Sequence, residues 1–270
     1  MKLKKMNAVL LLLIVLLLSA CQVEPDPVIP EAEAWTQLSE TAPWGERSYF
    51  ASVHFDGQLW VMGGWKDRSA IFYNDVWRSA DGTNWTQVSE NSPWAGRNGI
   101  NGIVFKDKIW ILGGFNFTSE MLNDVWSSVD GINWTQVTDN APWEPREGYG
   151  SLVYNDRLWI FGGVGNSDQF YSDVWMTEDG ENWIQISEDA GWGKRMFHSA
   201  VVFDNKMWLF GGYNSKTNSP HQDIWVSENG TDWILVSETN PWSTRHGHAT
   251  IVHDGQIWII GGYDIQRKMQ

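Results

Sequence analysis

Residues 207 to 212 read Met-Trp-Leu-Phe-Gly-Gly, four apolar residues followed by two glycines. The pattern returns every 49 or 50 residues, with its glycines at Gly63-Gly64, Gly113-Gly114, Gly162-Gly163, Gly211-Gly212 and Gly261-Gly262. Of the 20 Trp residues, 19 fall on four positions of this period, and Trp65 lies outside them. Self-similarity at a fixed period of this length predicts a repeat architecture in which each copy is one structural unit.

Each copy contains four short segments with strand character. The first follows a repeated Arg, the second is the apolar run that ends in Gly-Gly, the third begins with Asp-Val-Trp, and the fourth resembles Asn-Trp-Thr-Gln-Val. The uninterrupted apolar run predicts a strand that is buried on both faces. Asp56-Gly57 and Asp254-Gly255 favour type I′ hairpins between the first two strands. A four-stranded meander of about 50 residues, repeated in series, predicts the blades of a β-propeller.

Three repeated motifs resemble the kelch repeat of β-propellers. They are the Gly-Gly that ends the second strand, the Asp-Val-Trp that opens the third, and the Arg-x-x-His of Arg195 with His198 and Arg245 with His248. The resemblance covers residues 35–270 and implies an all-β, kelch-type β-propeller of four-stranded antiparallel blades. We expect about five blades, the last one incomplete, in units near 35–84, 85–133, 134–182, 183–232 and 233–270.

The fifth unit stops at Gln270, before the position of its third strand, whereas Trp35 to Leu38 form a spare copy of the fourth strand at the other end. One interpretation is a closed five-bladed ring whose last blade takes the N-terminal strand. The other is part of a larger ring, because propellers of the kelch type commonly have six or seven blades. We favour the second interpretation.

The first 34 residues have the composition of a targeting segment and a tether. Residues 1–20 combine a basic start, an apolar run and small residues, as a signal peptide does. The end of this segment resembles the bacterial lipobox, which implies lipidation of Cys21, the single Cys of the chain. Residues 21–34 are acidic and Pro-rich and predict a stiff tether. We therefore expect a lipid-anchored protein of the bacterial cell envelope, at the outer membrane or cell surface because Gln22 is not an Asp.

Composition excludes several classes of function. With 33 acidic and 19 basic residues, the chain has no broad basic surface for nucleic acid. A single Cys excludes a multi-thiolate metal cage. Kelch propellers that resemble galactose oxidase need a thioether-linked Cys and Tyr for their copper cofactor, and Cys21 is already assigned to lipidation. We expect no cofactor and no metal site.

The face that carries the second-to-third loops varies most between units, so we expect the ligand there. The resemblance places the repeated Arg near the mouth of the central channel on this face, where guanidinium groups bind carboxylates well. The alternative is that each Arg pairs with a repeated Asp between blades. The candidate ligand-binding residues are Arg47, Arg97, Arg146, Arg195, Arg245, Trp65, Tyr149, His198, His246 and His248.

A second aromatic set precedes the Arg residues in the links between units. Its members are Trp44, Trp94, Trp143, Trp192 and Trp242. They predict either a rim for stacking carbohydrate or packing over the adjacent blade, and we favour packing.

Three hypotheses for function follow from these residues. The first is a non-enzymatic module that binds an extracellular glycan or protein through the variable-loop face. The alternative is a sugar-acting enzyme similar to sialic-acid mutarotases or lyases, with Arg, His and Glu at the channel mouth. The third is a structural module whose Arg residues only hold the blades together.

Overall fold

The computed structural model describes residues 36–66, 69, 71–116 and 120–264. The chain divides into two compact units, Met1–Gln37 and Leu38–Gln270. Within the described ranges, helical structure is limited to a 3-10 turn at Asn166–Asp168, and no helix is long and apolar enough to cross a membrane. Residues 1–35, including Cys21, the tether and Trp35, lie outside the described part.

Strands of the second unit form four antiparallel sheets of four strands and three short hairpins. The first sheet contains β1 (Ala51–Phe55), β2 (Gln58–Met62), β5 (Val76–Ser79) and β6 (Trp85–Ser89), with a hairpin of β3 (Trp65–Lys66) and β4 (Ile71–Phe72) in its second-to-third loop. The second contains β7 (Gly102–Phe105), β8 (Lys108–Asn116), β9 (Glu120–Ser128) and β10 (Trp134–Thr138).

The remaining strands continue the same order. The third sheet contains β11 (Gly150–Tyr154), β12 (Arg157–Gly165), β13 (Gln169–Thr177) and β14 (Trp183–Ser187). The fourth contains β15 (Ser199–Phe203), β16 (Lys206–Phe210), β19 (Ile224–Ser227) and β20 (Ile234–Ser237), with β17 (Tyr213–Asn214) and β18 (Ser219–Pro220) as a loop hairpin. A last hairpin contains β21 (Ala249–His253) and β22 (Gln256–Ile260).

The four sheets are the predicted propeller blades, and the last hairpin is the incomplete fifth. Each sheet begins after a repeated Arg, so each predicted unit combines the fourth strand of one blade with the first three of the next. In the described residues β22 pairs with β21 alone, and Thr36 to Leu38 belong to no strand. The described residues therefore do not contain the spare fourth strand that the sequence predicted at the N-terminus.

The local sequence explains the strands and turns. Asp56 and Gly57 have φ values of 49° and 68°, so the first hairpin has the two left-handed residues of a type I′ turn. The second strands carry the apolar runs, and β12 is buried along all but its first residue. Burial on both faces was predicted. It holds for β8 and β12, which lie between two neighbouring blades, whereas β22 of the last hairpin is exposed at every second residue.

The hydrophobic core is divided between pairs of adjacent blades. One cluster joins Trp110 of the second blade to Trp143, Leu158 and Ile160 of the third. Equivalent clusters contain Trp94 between the first two blades and Trp192 between the third and fourth. The first strands of successive blades contact one another, β1 with β7, β7 with β11, β11 with β15, and β15 with β21. These innermost strands therefore form the wall around the central channel.

Candidate functional site

Four of the five repeated Arg side chains are buried in ion pairs. Arg146 Nη1 lies 2.6 Å from Asp173 Oδ1 and Nη2 lies 2.8 Å from Oδ2, and the Arg side chain is 0% exposed. Nη1 also donates to the carbonyl of Gly162. The same bidentate pairs join Arg47 to Asp75, Arg97 to Asp124 and Arg195 to Asp223. These four guanidinium groups are paired with carboxylates, and none of them lines the cavity at the start of the first strands.

The ion pairs lie within a blade, which differs from the predicted pairing between blades. The Arg precedes the first strand of a sheet, and its Asp partner belongs to the same sheet. Asp75 and Asp223 directly precede the third strand, whereas Asp124 and Asp173 lie within it. Contacts between blades are made instead by the backbones of Arg97, Arg146, Arg195 and Arg245. Arg97 donates its N–H to Tyr73 O (3.1 Å) and accepts from Gly64 N–H (2.8 Å), and both partners belong to the preceding blade.

The electrostatics of the fourth pair show how burial and charge compete. Burial opposes ionisation of Asp223, but the hydrogen bonds and the charge of Arg195 outweigh it, and the pKa of Asp223 is lowered. Trp225 Nε1 donates to the same carboxylate at 2.7 Å.

Arg245 differs from the other four Arg residues. Its Nη1 donates to Gly261 O at 2.7 Å, and its side chain pairs with no carboxylate in the described part of the chain. It is partly exposed but does not line the channel cavity.

Most of the predicted Trp candidates are structural. Trp94, Trp143 and Trp192, three of the Trp residues in the links between units, are 1% exposed. At these three positions the Trp packs between blades, as predicted, and forms no rim for stacking carbohydrate. Trp65 in β3 is half-buried against Phe72, with ring centroids 6.0 Å apart, and it also lies outside the cavity lining.

A cavity of about 810 Å³ opens where the first strands begin. We call this opening the channel mouth. Its wall consists of residues one to five positions after the repeated Arg in all five units, together with Gly262 and Tyr263. Four sequence-predicted candidates meet here, namely Tyr149, His198, His246 and His248. A smaller cavity of about 230 Å³ continues along the first strands and shares His198 and His248 with it.

Backbone hydrogen bonds join neighbouring units around the mouth, at the second residue after each Arg. Gly99 N–H donates to Tyr49 O, Gly148 N–H to Gly99 O, Phe197 N–H to Gly148 O, and Gly247 N–H to Phe197 O, at 2.6 to 3.2 Å. All five residues have left-handed backbones, with φ between 52° and 64°. Such φ values favour Gly and are costly for bulky residues. Tyr49 and Phe197 therefore occupy strained positions, and backbone strain of this kind clusters at functional sites.

The two strained aromatic residues begin a cluster of rings at the mouth. Tyr49 and Phe197 stack with centroids 4.9 Å apart, although they come from the first and fourth blades. His246 lies near Phe197 and stacks on Tyr213 at 5.4 Å. Tyr263 meets His246 edge-on at 5.4 Å. Tyr49 and Tyr263 remain 43% and 53% exposed, so the cluster offers ring surface to a ligand.

Tyr149, His198 and His248 lie deeper, at the third residue after the Arg. Tyr149 donates its hydroxyl proton to Leu112 O at 2.5 Å, and burial raises its pKa. His198 Nε2 accepts from Gly150 N–H at 3.2 Å, and burial together with Arg195 lowers its pKa to about 3. His248 shares a hydrogen bond of 2.7 Å with Ser199 Oγ, and burial and Arg245 lower its pKa to about 4. These rings are neutral at pH 7.

Glu147 lies next to the mouth, although it is not among the residues that line the cavity. Its backbone forms a bridge with Val164, and its side chain lies over Gly99, where an added side-chain carbon would be 2.3 Å from Oε2. Burial raises the pKa of Glu147 to about 7. The pKa of Tyr49 is raised too, first by burial and then by the charge of Glu147, so the two groups are close. No hydrogen bond to the Glu147 carboxyl is present among the described residues.

The shifted pKa of Asp81, away from the mouth, is explained by local structure. Asp81, in the turn between the third and fourth strands, accepts hydrogen bonds from the backbone N–H groups of Thr83 and Asn84 and from the Asn84 amide. These bonds lower the pKa of Asp81, and the carboxylate stabilises its own turn. Within the described residues, no three His, Cys, Asp or Glu side chains are grouped as metal ligands are.

Tyr49 and Phe197 were not among the residues predicted from the sequence to line the site. A signal was available, because the second residue after the Arg is Gly in three units and aromatic in the other two. Tyr213 and Tyr263 follow their Gly-Gly pairs, at the position that Trp65 occupies in the first unit.

Comparisons with known proteins agree with this architecture. The family model of the KLHDC2/KLHL20/DRC7 Kelch-repeats domain matches residues 128–270, just over half of the chain. A solved structure titled "Structure of YjhT" aligns with a TM-score of 0.71 at 18% sequence identity, covering 86% of this chain and 81% of that one. At this identity the likeness concerns the fold alone. A search of curated protein sequences gave no significant match.

Proposed function

The chain belongs to the kelch-repeat family, and from this premise we propose that it is a non-enzymatic binding module whose channel mouth takes a glycan. The observation that carries the proposal is the stacked pair of Tyr49 and Phe197, which occupy strained left-handed positions beside the cavity. Sugar rings present apolar C–H faces that pack well on such aromatic surfaces.

The size of the cavity favours a glycan over a protein surface. Its volume of about 810 Å³ falls within the range of small-ligand sites, which are concave and lined by apolar groups with a few polar ones. A stable protein interface buries about 800 Å² on each partner and is not confined to one cavity.

A sugar-acting enzyme is the second candidate, and Glu147 is the observation that favours it. A carboxyl group with a pKa of about 7 has the proton affinity of a general acid or base at neutral pH. The binding module is preferred because the stacked rings of Tyr49 and Phe197 lie in the cavity lining. The guanidinium groups that both hypotheses expected at the mouth are held in ion pairs at Arg47, Arg97, Arg146 and Arg195. Conversion of a bound glycan, followed by NMR, would establish the enzyme instead.

Replacing Phe197 with Ala is expected to weaken glycan binding about 10-fold or more, because aromatic anchors carry a large share of binding energy. The measurement is a glycan array with the full chain, followed by calorimetric titration of the strongest glycan.

Trp65→Ala is the matched control, since it removes an aromatic side chain from the same face but outside the cavity lining. We expect its affinity to stay within about 2-fold of the native value. Equal losses in the two variants, or an array without any bound glycan, would contradict the proposed site.

We further propose that the chain is anchored to the cell envelope by lipid on Cys21, with the propeller facing outward. The support is the signal-like segment 1–20, the single Cys at its end and the acidic Pro-rich residues that follow.

Cys21→Ala is expected to abolish incorporation of a labelled fatty acid during expression in a bacterial host, because the thiol that carries the lipid is gone. Mass spectrometry and labelling of the purified chain measure this. Gln22→Ala should keep the label, and a labelled Cys21→Ala chain would refute the anchor.

A further inference from the structure

The channel mouth carries no fixed positive charge. Its described lining residues include no Lys or Arg. The three His residues there have lowered pKa values, because burial disfavours their charged forms. The chain as a whole has a net charge of −14. A ligand with a carboxylate or phosphate therefore has no guanidinium or ammonium group to meet at this mouth, whereas a cation enters a favourable potential.

Glu147 lies next to this mouth, over the lining residue Gly99, and the rest of the site leaves its carboxyl group unused. It is partly buried over Gly99, and no described residue donates a hydrogen bond to its carboxyl. A buried carboxylate without a partner is unfavourable, so a cation that pairs with it recovers the cost of burial. An ammonium group has three N–H donors for this purpose.

Aromatic faces adjoin the same place. The ring of Phe197 covers Gly148, where an added side-chain carbon would be 3.0 Å from the ring. Glu147 covers Gly99, whose carbonyl accepts the hydrogen bond from Gly148 N–H. Tyr49 stacks on Phe197, and burial and then the charge of Glu147 raise the pKa of its hydroxyl. A carboxylate beside stacked aromatic rings is the combination that recognises ammonium groups, through charge pairing and cation–π attraction.

We propose that the channel mouth selects glycans that carry a free, protonated amine, with Glu147 pairing the ammonium and Tyr49 and Phe197 packing against the aminated sugar ring. This inference rests on the proposed glycan-binding function and names the class of sugar that the site prefers.

The test compares a β-1,4-linked glucosamine trimer with the same trimer after N-acetylation, by calorimetric titration of the full chain at pH 7 in a detergent without a sugar headgroup. We expect the free-amine trimer to bind at least about 10-fold more tightly. Glu147→Gln should bring the two affinities within about 2-fold, because it removes the charge and keeps the shape. Glu144→Gln, an exposed neighbour, should leave the preference unchanged.

Thermal unfolding of Glu147→Gln gives a second readout without ligand. Because the folded pKa is raised from 4.5 to about 7, ionising Glu147 destabilises the folded state as pH rises through that window. The variant should melt above the native chain at pH 8 and together with it at pH 4.5. Tyr49 is the titratable group that interacts with Glu147.

The outcomes separate the two proposals. Equal affinity for the two trimers, or a preference that survives in Glu147→Gln, would overturn the selection of amines and leave glycan binding intact. Failure of both trimers and of every glycan on the array would overturn both proposals.

Discussion

Replacing Arg146 with Met will lower the free energy of unfolding by about 3 to 5 kcal/mol, because the substitution leaves the Asp173 carboxylate buried without its partner. Arg146 is 0% exposed, and its two bonds to Asp173 and one to Gly162 are lost together. Chemical denaturation followed by Trp fluorescence measures the change.

Arg245→Met is the control for this prediction, since it changes the same repeat position where the side chain pairs with no carboxylate in the described residues. Its expected cost is within about 1 kcal/mol. The double variant Arg146→Met with Asp173→Leu should recover most of the loss, because a buried ion pair replaced by apolar groups of similar size is often tolerated. Equal costs at Arg146 and Arg245 would show that the ion pair does not stabilise the blade.

Trp143→Ala will lower the free energy of unfolding by a similar amount, about 3 to 5 kcal/mol, through the cavity that a buried Trp leaves behind. Trp143 is 1% exposed and lies in the core between the second and third blades. It also meets Trp183 edge-on at 5.9 Å. Denaturant titration and a thermal melt both report the change.

Trp242→Ala provides the comparison at the equivalent position of the last unit. Trp242 is only partly buried, and no aromatic ring packs against it in the part of the chain that the structure describes. We expect a cost of about 1 kcal/mol or less. If Trp143→Ala proved as mild, the Pro-Trp residues would not hold adjacent blades together.

Much of the fold could be predicted from the sequence because the patterns that specify its turns and strands are local and recur in every unit. The Asp-Gly turn at Asp56 and the apolar run that forms β16 specify a hairpin and a buried strand without distant information. The resemblance to kelch repeats added the stacking of blades, which the family match and the sheet order confirm.

Less of the candidate site than of the fold could be predicted from the sequence. Five Arg residues in register predict a ring at the channel, yet whether each one faces the channel or its own blade depends on side-chain direction. At Arg97 the side chain faces its own blade, because its bidentate partner, Asp124, lies within the same sheet. The contact of Tyr49 with Phe197 joins residues almost 150 positions apart and has no local signature.

Each repeated Arg contacts two blades, and this affects how a protein of this kind gains blades by gene duplication. The Arg backbone belongs to the preceding blade and its side chain to the following one, as Arg97 and Arg146 show. A gene duplication that copies one period therefore copies all the contacts that one Arg makes with its two blades. This holds wherever in the period the duplicated segment begins and ends. New blades can therefore be added without a new kind of interface. The backbone bonds and the ion pair of the Arg make every added blade fold against an existing neighbour.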